Sequence, residues 1–172
     1  MVHSVHSVHS VHSIEITHIY IASEHNFFTV SDKGPERCPA LDLDEVDVVQ
    51  DTGLRGDRFF KHDPFSSAQV TLFQQEVHDE LIATFDLPHL KADRYRRNIC
   101  VRGFDVQSLA GREFSIGGIS FVGGEIAQPC KWMEVSVCLG AKAFLKDRSG
   151  IRARPLTSGV LRKGSVELTI GN

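Results

Sequence analysis

The sequence lacks the long apolar segments of a membrane protein. No apolar run in its 172 residues approaches the ~20 that a helix needs to cross a bilayer. Its first residues have neither the cationic start nor the apolar stretch of a signal peptide. The composition, 41% hydrophobic and 24% charged, is that of a soluble globular protein. We therefore expect a single cytoplasmic domain without membrane contact.

Cysteines are few and widely spaced. The four are Cys38, Cys100, Cys130 and Cys138. Four thiols in a chain of this size are not the dense disulfide framework of a small secreted protein. No C-x-x-C pair is present, which argues against a structural zinc site. We predict free thiols in a reducing compartment, with a structural role for all except Cys130.

Several motifs of common enzymes are also missing. There is no glycine-rich phosphate loop of the Walker or dinucleotide type, so the chain is not an obvious nucleotide enzyme. No histidine stands in a recognisable catalytic context that would pair with Cys130, which disfavours a cysteine hydrolase. The net charge is −3 and aromatic residues do not interleave with the basic ones, so a nucleic-acid ligand is disfavoured as well.

The chain begins with a repeat. Residues 1–13 are the initiator methionine followed by four copies of Val-His-Ser. Such a segment buries too little apolar surface to offset the entropy of ordering it. We predict a disordered tail over residues 1–13 and a single domain over residues 14–172. The repeat histidines could bind a divalent metal weakly, but we assign them no function.

Beyond the repeat, alternating apolar and polar residues predict short strands. The alternation runs through residues 14–21, through Val46 and Val48, on both sides of Gly117-Gly118, and through residues 164–171. This period of two is typical of strands that bury one face, and the glycine pair predicts a hairpin. Many short strands favour a closed or sandwiched β architecture.

One segment has a different period. Its apolar residues at intervals of three and four are Val70, Phe73, Val77, Leu81 and Phe85. These intervals predict an amphipathic helix that packs on the core, and Thr71 to Gln74 has the spacing of a capping box. We expect this helix to end near Pro88.

Charge is distributed unevenly along the chain. Residues 36–51 carry six acids and one base, residues 91–112 six bases and two acids, and residues 142–163 seven bases and one acid. The two basic segments flank Cys130. They are either solvated faces or surfaces that converge on an anionic ligand.

Arginines concentrate in three short runs: GLRGDRF (53–59), RYRRNICVRG (94–103) and GIRARPL (150–156). The planar fork of donors on arginine suits phosphate and polar heterocycles. In the first run, Asp57 could orient Arg55 or Arg58 through a charge-assisted hydrogen bond. A turn stabilised by a local ion pair would explain that run equally well.

Cys130 lies in the stretch EIAQPCKWMEV, between the two basic segments. Positive charge near a thiol favours the thiolate, which is the metal-binding and sulfur-accepting form. A soft thiolate suits molybdenum, copper(I) or iron, and Pro129 restricts the turn that presents it. From these residues alone, a small buried hydrophobic role for Cys130 stays open.

Six short motifs resemble those of the MOSC family, domains named for the C-terminal part of molybdenum-cofactor sulfurase. They occur in the family's order and approximate spacing: GLRGDRF, QVTLF, RRNICVRG, LAGREFSIGG, QPCKWME and GIRARPL followed by LRKGSVEL. The resemblance covers residues 14–172. It implies a mostly β fold with a few helices, a MOSC-type closed β-barrel, and one functional cysteine.

The resemblance also implies a cofactor. In relatives such as the mitochondrial amidoxime-reducing component, that cysteine coordinates the molybdenum of a pterin cofactor, molybdopterin, and arginine and asparagine residues hold the cofactor. By position, Cys130 is the implied metal ligand and catalytic residue. The expected cofactor-binding residues are Arg55, Arg96, Arg97, Asn98, Arg152 and Arg154. We expect no pyridoxal-phosphate site, because the chain cannot house the sulfurase's separate desulfurase domain.

Two functions follow from these expectations. The first is a molybdenum-cofactor-binding protein that reduces small N-oxygenated substrates, such as N-hydroxylated compounds, with electrons from a redox partner. The second is a sulfur carrier in which a Cys130 persulfide takes sulfur from a donor protein and delivers it to a metal cofactor or cluster. A third interpretation, a binding module that has lost its cofactor, predicts arginines that diverge.

Overall fold

A computed structural model describes residues 9–24, 39–61 and 68–171 of the chain. Strands dominate these ranges. They are β1 (Ser10–Ile21), β2 (Leu41–Asp42), β3 (Glu45–Val49), β4 (Gly53–Leu54), β5 (Val70–Gln74), β6 (Ile99–Arg102), β7 (Glu113–Ile116), β8 (Ile119–Ile126), β9 (Ile151–Pro155), β10 (Gly159–Arg162) and β11 (Gly164–Ile170). The helices are α1 (Gln75–Thr84), α2 (Trp132–Ser136) and α3 (Ala141–Phe144), with 3₁₀ turns at Ala92–Tyr95 and Val106–Leu109.

Seven of these strands close into a barrel. Neighbouring strands follow the order β11, β7, β8, β9, β5, β6 and β1, and β1 pairs back with β11. The neighbours are antiparallel except β5 and β6, a parallel pair that α1 connects as a crossover. β2 extends the sheet beside β1, and β10, β3 and β4 form a small second sheet. The predicted mostly β, closed-barrel fold is confirmed.

Strand alternation divides the buried residues between two cores. Leu72 in β5 and Ile99 in β6 belong to the larger core, which the barrel strands enclose. Their chain neighbours Phe73 and Cys100 belong to the second core, together with residues of the helices. Successive side chains of a strand point to opposite faces. The same strands therefore fill the barrel and carry the helical layer outside it.

The first strand begins earlier than the sequence pattern predicts. β1 starts at Ser10 rather than Ile14, because Ser10 to Ser13 pair with β11, and His12 lies opposite Leu168. The last copy of the repeat is thus ordered by its ladder partner, whereas residues 1–8 of the predicted tail lie outside the described residues. A register shift between Ile16 and His18 interrupts the predicted alternation.

The helix predicted from Val70 begins five residues later. Val70–Gln74 is strand β5, whose first four residues are all buried, and α1 starts at Gln75. Gln74, at the N-cap, makes no capping side-chain hydrogen bond. The capping-box prediction is wrong because a short apolar run that is buried on both faces satisfies either period. Within the described ranges, none of the helices combines the length and apolar character needed to span a membrane.

Candidate functional site

A cavity of about 280 Å³ opens beside the loop that follows β8. Four arginines from three chain segments line it: Arg58, Arg96, Arg97 and Arg152. Phe59, Tyr95 and Trp132 add aromatic surface, and Cys130 lies in the same wall. A concave site with aromatic walls and a few converging polar groups is the usual form of a ligand pocket.

Cys130 is held outward at this cavity. Pro129 is buried and Cys130 is exposed, so the chain turns outward between them. The carbonyl of Cys130 accepts a hydrogen bond of 3.1 Å from the Met133 amide, which closes the turn at the start of α2. Trp132 and Met133 anchor this turn in the second core. The exposure of Cys130 argues against a role as a small buried hydrophobic residue.

The Arg97 guanidinium hydrogen-bonds to three backbone carbonyls around the cavity. Its Nε donates to the Ser149 carbonyl at 2.8 Å, Nη1 to the Tyr95 carbonyl at 3.2 Å and Nη2 to the Ala127 carbonyl at 2.6 Å. The Ser149 hydroxyl also donates to the Ala127 carbonyl. One guanidinium therefore joins three separate loops, including the one that carries Cys130.

The charge of Arg97 is poorly compensated. Burial is the main cause that lowers the pKa of Arg97, to about 10, and the positive charge of Arg152 acts in the same direction. Cys130 acts in the opposite direction and raises the pKa of Arg97. Among the described residues, no carboxylate forms an ion pair with Arg97. An anion in the cavity would supply the missing negative charge.

Arg96 occupies an unusual backbone conformation. Its φ of 59° lies in the left-handed region, which costs a residue with a side chain about 1 kcal/mol or more. In this conformation its guanidinium carbon stands 5.8 Å from the centroid of the Trp132 ring. Arg96 thus places a cation over the buried Trp132 ring in the cavity wall that contains Cys130.

Arg58, and not the predicted Arg55, lines the cavity. The Arg58 side chain is only 8% exposed and lies against the Phe59 ring, 4.7 Å from its centroid. It donates to the Asp57 carboxylate at 3.4 Å and to the Arg96 carbonyl at 3.5 Å. In the sequence, the neighbouring Asp57, as a possible acceptor for Arg58, was the signal that could have identified Arg58 rather than Arg55 as the cavity residue.

The fourth arginine, Arg152, extends from β9 opposite Thr71 of β5. Its Nη1 also donates to the Glu125 carboxylate, which is two-thirds exposed. A solvent-exposed ion pair of this kind contributes little and is easily exchanged. Arg152 can therefore turn from Glu125 to an anionic ligand at small cost.

Three predicted cofactor-binding residues do not line the cavity. Arg55 is exposed and pairs with Asp47 at 3.0 Å. Arg154 pairs with Asp51. Asn98 is buried, and both its amide oxygen and its amide nitrogen bond within the protein. The structure thus brings together Arg96, Arg97, Arg152 and Cys130, and not these three.

The other described cysteines differ from Cys130. Cys100 is fully buried in the second core, and burial raises the pKa of its thiol. Cys138 is half-buried, and burial is again the main cause that raises the pKa of its thiol. All three described cysteines are free thiols, while Cys38 lies outside the described residues.

Comparison with solved structures identifies the same architecture in other proteins. The crystal structure of the YuaD protein from Bacillus subtilis has a TM-score of 0.71, with 16% sequence identity over 96% of this chain and 100% of that chain. YiiM from Geobacillus stearothermophilus has a TM-score of 0.64, with 14% identity over 92% and 75%. YiiM from Escherichia coli has a TM-score of 0.58, with 15% identity over 74% and 64%.

These identities are low enough that the structures show a shared fold alone. Among the curated proteins compared, none matches the chain. The sequence model of the MOSC domain family matches residues 51–167, which is more than half of the chain and includes all four arginines and Cys130. The chain therefore belongs to the MOSC domain family.

Proposed function

We propose that the cavity binds a molybdenum-pterin cofactor with Cys130 as the metal ligand. The observation that carries this proposal is an exposed thiol in the wall of a cavity lined by four guanidinium groups. The convergence of the arginines argues against a module that has lost its ligand, for which diverging arginines were expected. We place this chemistry in the cytoplasm, where reducing conditions keep a thiol free.

The donor set fits such a cofactor. In the described part of the chain, no group of three or more His, Cys, Asp or Glu side chains could hold a metal ion by itself. One soft thiol therefore suits a metal whose remaining ligands come from the sulfur atoms of the pterin. The guanidiniums suit the anionic group that the cofactor carries.

Cys130 and three of the four arginines then have a defined task. Cys130 would bind the metal, and Arg97 and Arg152 would hold the anionic group, while the planar guanidinium of Arg96, which lies over the buried Trp132 ring, would face the ring system. When bound, the cofactor supplies two-electron redox chemistry: an N-hydroxylated compound takes two electrons from a redox partner and two protons, and leaves as the amine and water. Arg55, Asn98 and Arg154 are left out of the proposed contacts because their side chains do not line the cavity.

The test is metal and pterin analysis of the full chain purified from a host that makes the molybdenum cofactor. We expect molybdenum near one equivalent in the wild type and its loss in Cys130→Ser. Cys138→Ser is the matched control, because Cys138 follows in the same segment, is less exposed and does not line the cavity. Molybdenum retained by Cys130→Ser, or lost equally from both variants, would contradict the assignment of the ligand.

A second function is favoured by the exposure of Cys130 itself. As a sulfur carrier, the Cys130 thiolate attacks the outer sulfur of a donor protein's persulfide, the donor thiolate leaves, and Cys130 holds the new persulfide. An acceptor thiolate then attacks the outer sulfur of the Cys130 persulfide, and the Cys130 thiolate leaves. Delivery to a metal cofactor or cluster as sulfide additionally takes two electrons from a thiol reductant. Protein without metal, in which mass spectrometry finds a persulfide on Cys130 and not on Cys138, would favour the carrier over the reductase.

A further inference from the structure

Behind the cavity wall lies a buried polar network that no part of the proposed chemistry uses. It is centred on the carboxylate of Asp57, whose side chain is fully buried. Asp57 Oδ2 accepts from the Ala22 amide at 3.1 Å, from Asn98 Nδ2 at 3.2 Å and from Arg58 Nη1 at 3.4 Å, and Oδ1 accepts from the Phe59 amide at 3.1 Å. A buried carboxylate with four donors is a fixed point of the fold.

Asn98 supports this carboxylate from the other side. Its amide oxygen accepts from the Thr71 amide at 3.0 Å and the Thr71 hydroxyl at 2.9 Å, and its amide nitrogen donates to the Tyr20 carbonyl at 3.0 Å and to Asp57. Both hydrogens of the amide nitrogen and both lone pairs of the amide oxygen are therefore used within the protein. Asn98 has no capacity left for a ligand unless this network breaks.

The geometry points to Asp57 and Asn98 as positioning residues of the anion site: Asn98 fixes Asp57, and Asp57 fixes the Arg58 guanidinium in the cavity wall. This inference rests on the proposed function, because it assumes that the arginine-lined cavity binds an anion. It changes the role expected for Asn98 from contact with the ligand to support of the contact.

Whether removal of Asp57 strengthens or weakens anion binding shows whether Asp57 acts through its charge or by positioning Arg58. Asp57 is a negative charge beside an anion site, so if it acted only through its charge, removing it would strengthen anion binding. If it positions Arg58, removing it leaves the Arg58 side chain with fewer fixed contacts. More of that side chain must then be ordered when an anion binds, and anion binding weakens. A purely structural role lowers the thermal stability and leaves the anion affinity of the folded protein unchanged.

The experiment is titration of the full chain with inorganic pyrophosphate by calorimetry at constant ionic strength, with the thermal midpoint of each variant measured separately. Asp57→Ser is the first variant, because a serine hydroxyl can still accept from the amide two residues on, which keeps the turn to Phe59. Asp57→Asn is the second variant, in case the serine form does not fold.

We expect Arg58→Gln to weaken pyrophosphate binding about tenfold and Asp57→Ser by a similar factor, since each removes one charge-assisted contact. In a double-mutant cycle, Asp57→Ser added to Arg58→Gln should change the affinity by less than about twofold, because the two act through one side chain. Asp79→Asn is the matched control: Asp79 pairs with Arg102 at 2.7 Å, lies outside the cavity wall, and should leave the affinity unchanged.

The outcomes are distinguishable. Unchanged or tighter binding by both Asp57 variants, or additive losses in the double mutant, overturns the positioning role and leaves the anion site standing. A wild type that does not bind pyrophosphate overturns the anion site, and the positioning role falls with it.

Discussion

Replacing Arg97 with lysine keeps the positive charge of the site but removes most of the hydrogen bonds by which Arg97 joins the surrounding loops. A lysine ammonium can reach one of the three carbonyls that Arg97 bonds, at Tyr95, Ala127 and Ser149, and leaves the other two. A hydrogen bond to a charged group contributes about 1.5–3 kcal/mol, and water can replace part of it at a half-buried site. We therefore expect Arg97→Lys to lower the free energy of unfolding by about 3 kcal/mol.

For a chain of this length, that loss corresponds to a Tm about 6–12 °C lower. Scanning calorimetry, together with urea denaturation followed by near-UV circular dichroism, measures both quantities. Arg55→Lys is the matched control, since Arg55 is exposed and its ion pair with Asp47 should contribute less than about 1 kcal/mol. If the two variants unfold within about 0.5 kcal/mol of each other, the three-carbonyl contact does not fasten the loops.

Two further predictions concern the fold. Gly150→Ala places a Cβ 2.0 Å from the Leu72 carbonyl oxygen, whereas a Cβ on Gly118, which also has positive φ, meets nothing within 4 Å. Urea denaturation should show that the free energy of unfolding falls by at least about 3 kcal/mol for Gly150→Ala and by only about 1–2 kcal/mol for Gly118→Ala. Equal losses would refute the close approach. Burial lowers the pKa of His78, whose Nδ1 lies 2.9 Å from the Tyr95 hydroxyl. Below about pH 6.5 the unfolded chain therefore binds more protons at this site than the folded chain, and stability falls as the pH falls. Between pH 6.5 and 5 the Tm should decline less for His78→Gln than for wild type, and parallel curves would assign the decline to other groups.

Five strands, β1, β3, β7, β8 and β11, were predictable because their apolar and polar residues alternate locally. The hairpin of β7 and β8 follows from alternation on either side of Gly117-Gly118, and the structure pairs Ile116 with Ile119 across it. β5 was not predictable, because its apolar run fits a helix and a doubly buried strand equally well. Only the neighbours β6 and β9, which are distant in sequence, decide between the two.

The sequence predicted which types of residue form the candidate site, but not which individual arginines line the cavity. Clustered arginines and an isolated Cys130 indicate an anion-binding surface with a thiol, and four arginines do line one cavity with that thiol. Which arginine of GLRGDRF faces the cavity depends on Asp57, and Asp57 selects Arg58 through donors at Ala22 and Asn98. Contacts between residues separated by 35 and 41 positions leave no periodic signal in the sequence.

The pairing of β1 with β11 determines when the barrel can form. It joins Ser10 to Ile170, so this contact closes a loop that contains nearly all of the described chain. Contacts of such separation have a high loop-closure entropy and form slowly. Until β11 docks, β1 and β7 each present an open edge of unpaired N–H and C=O groups to other chains. We therefore expect aggregation to compete with folding for as long as these two edges stay unpaired.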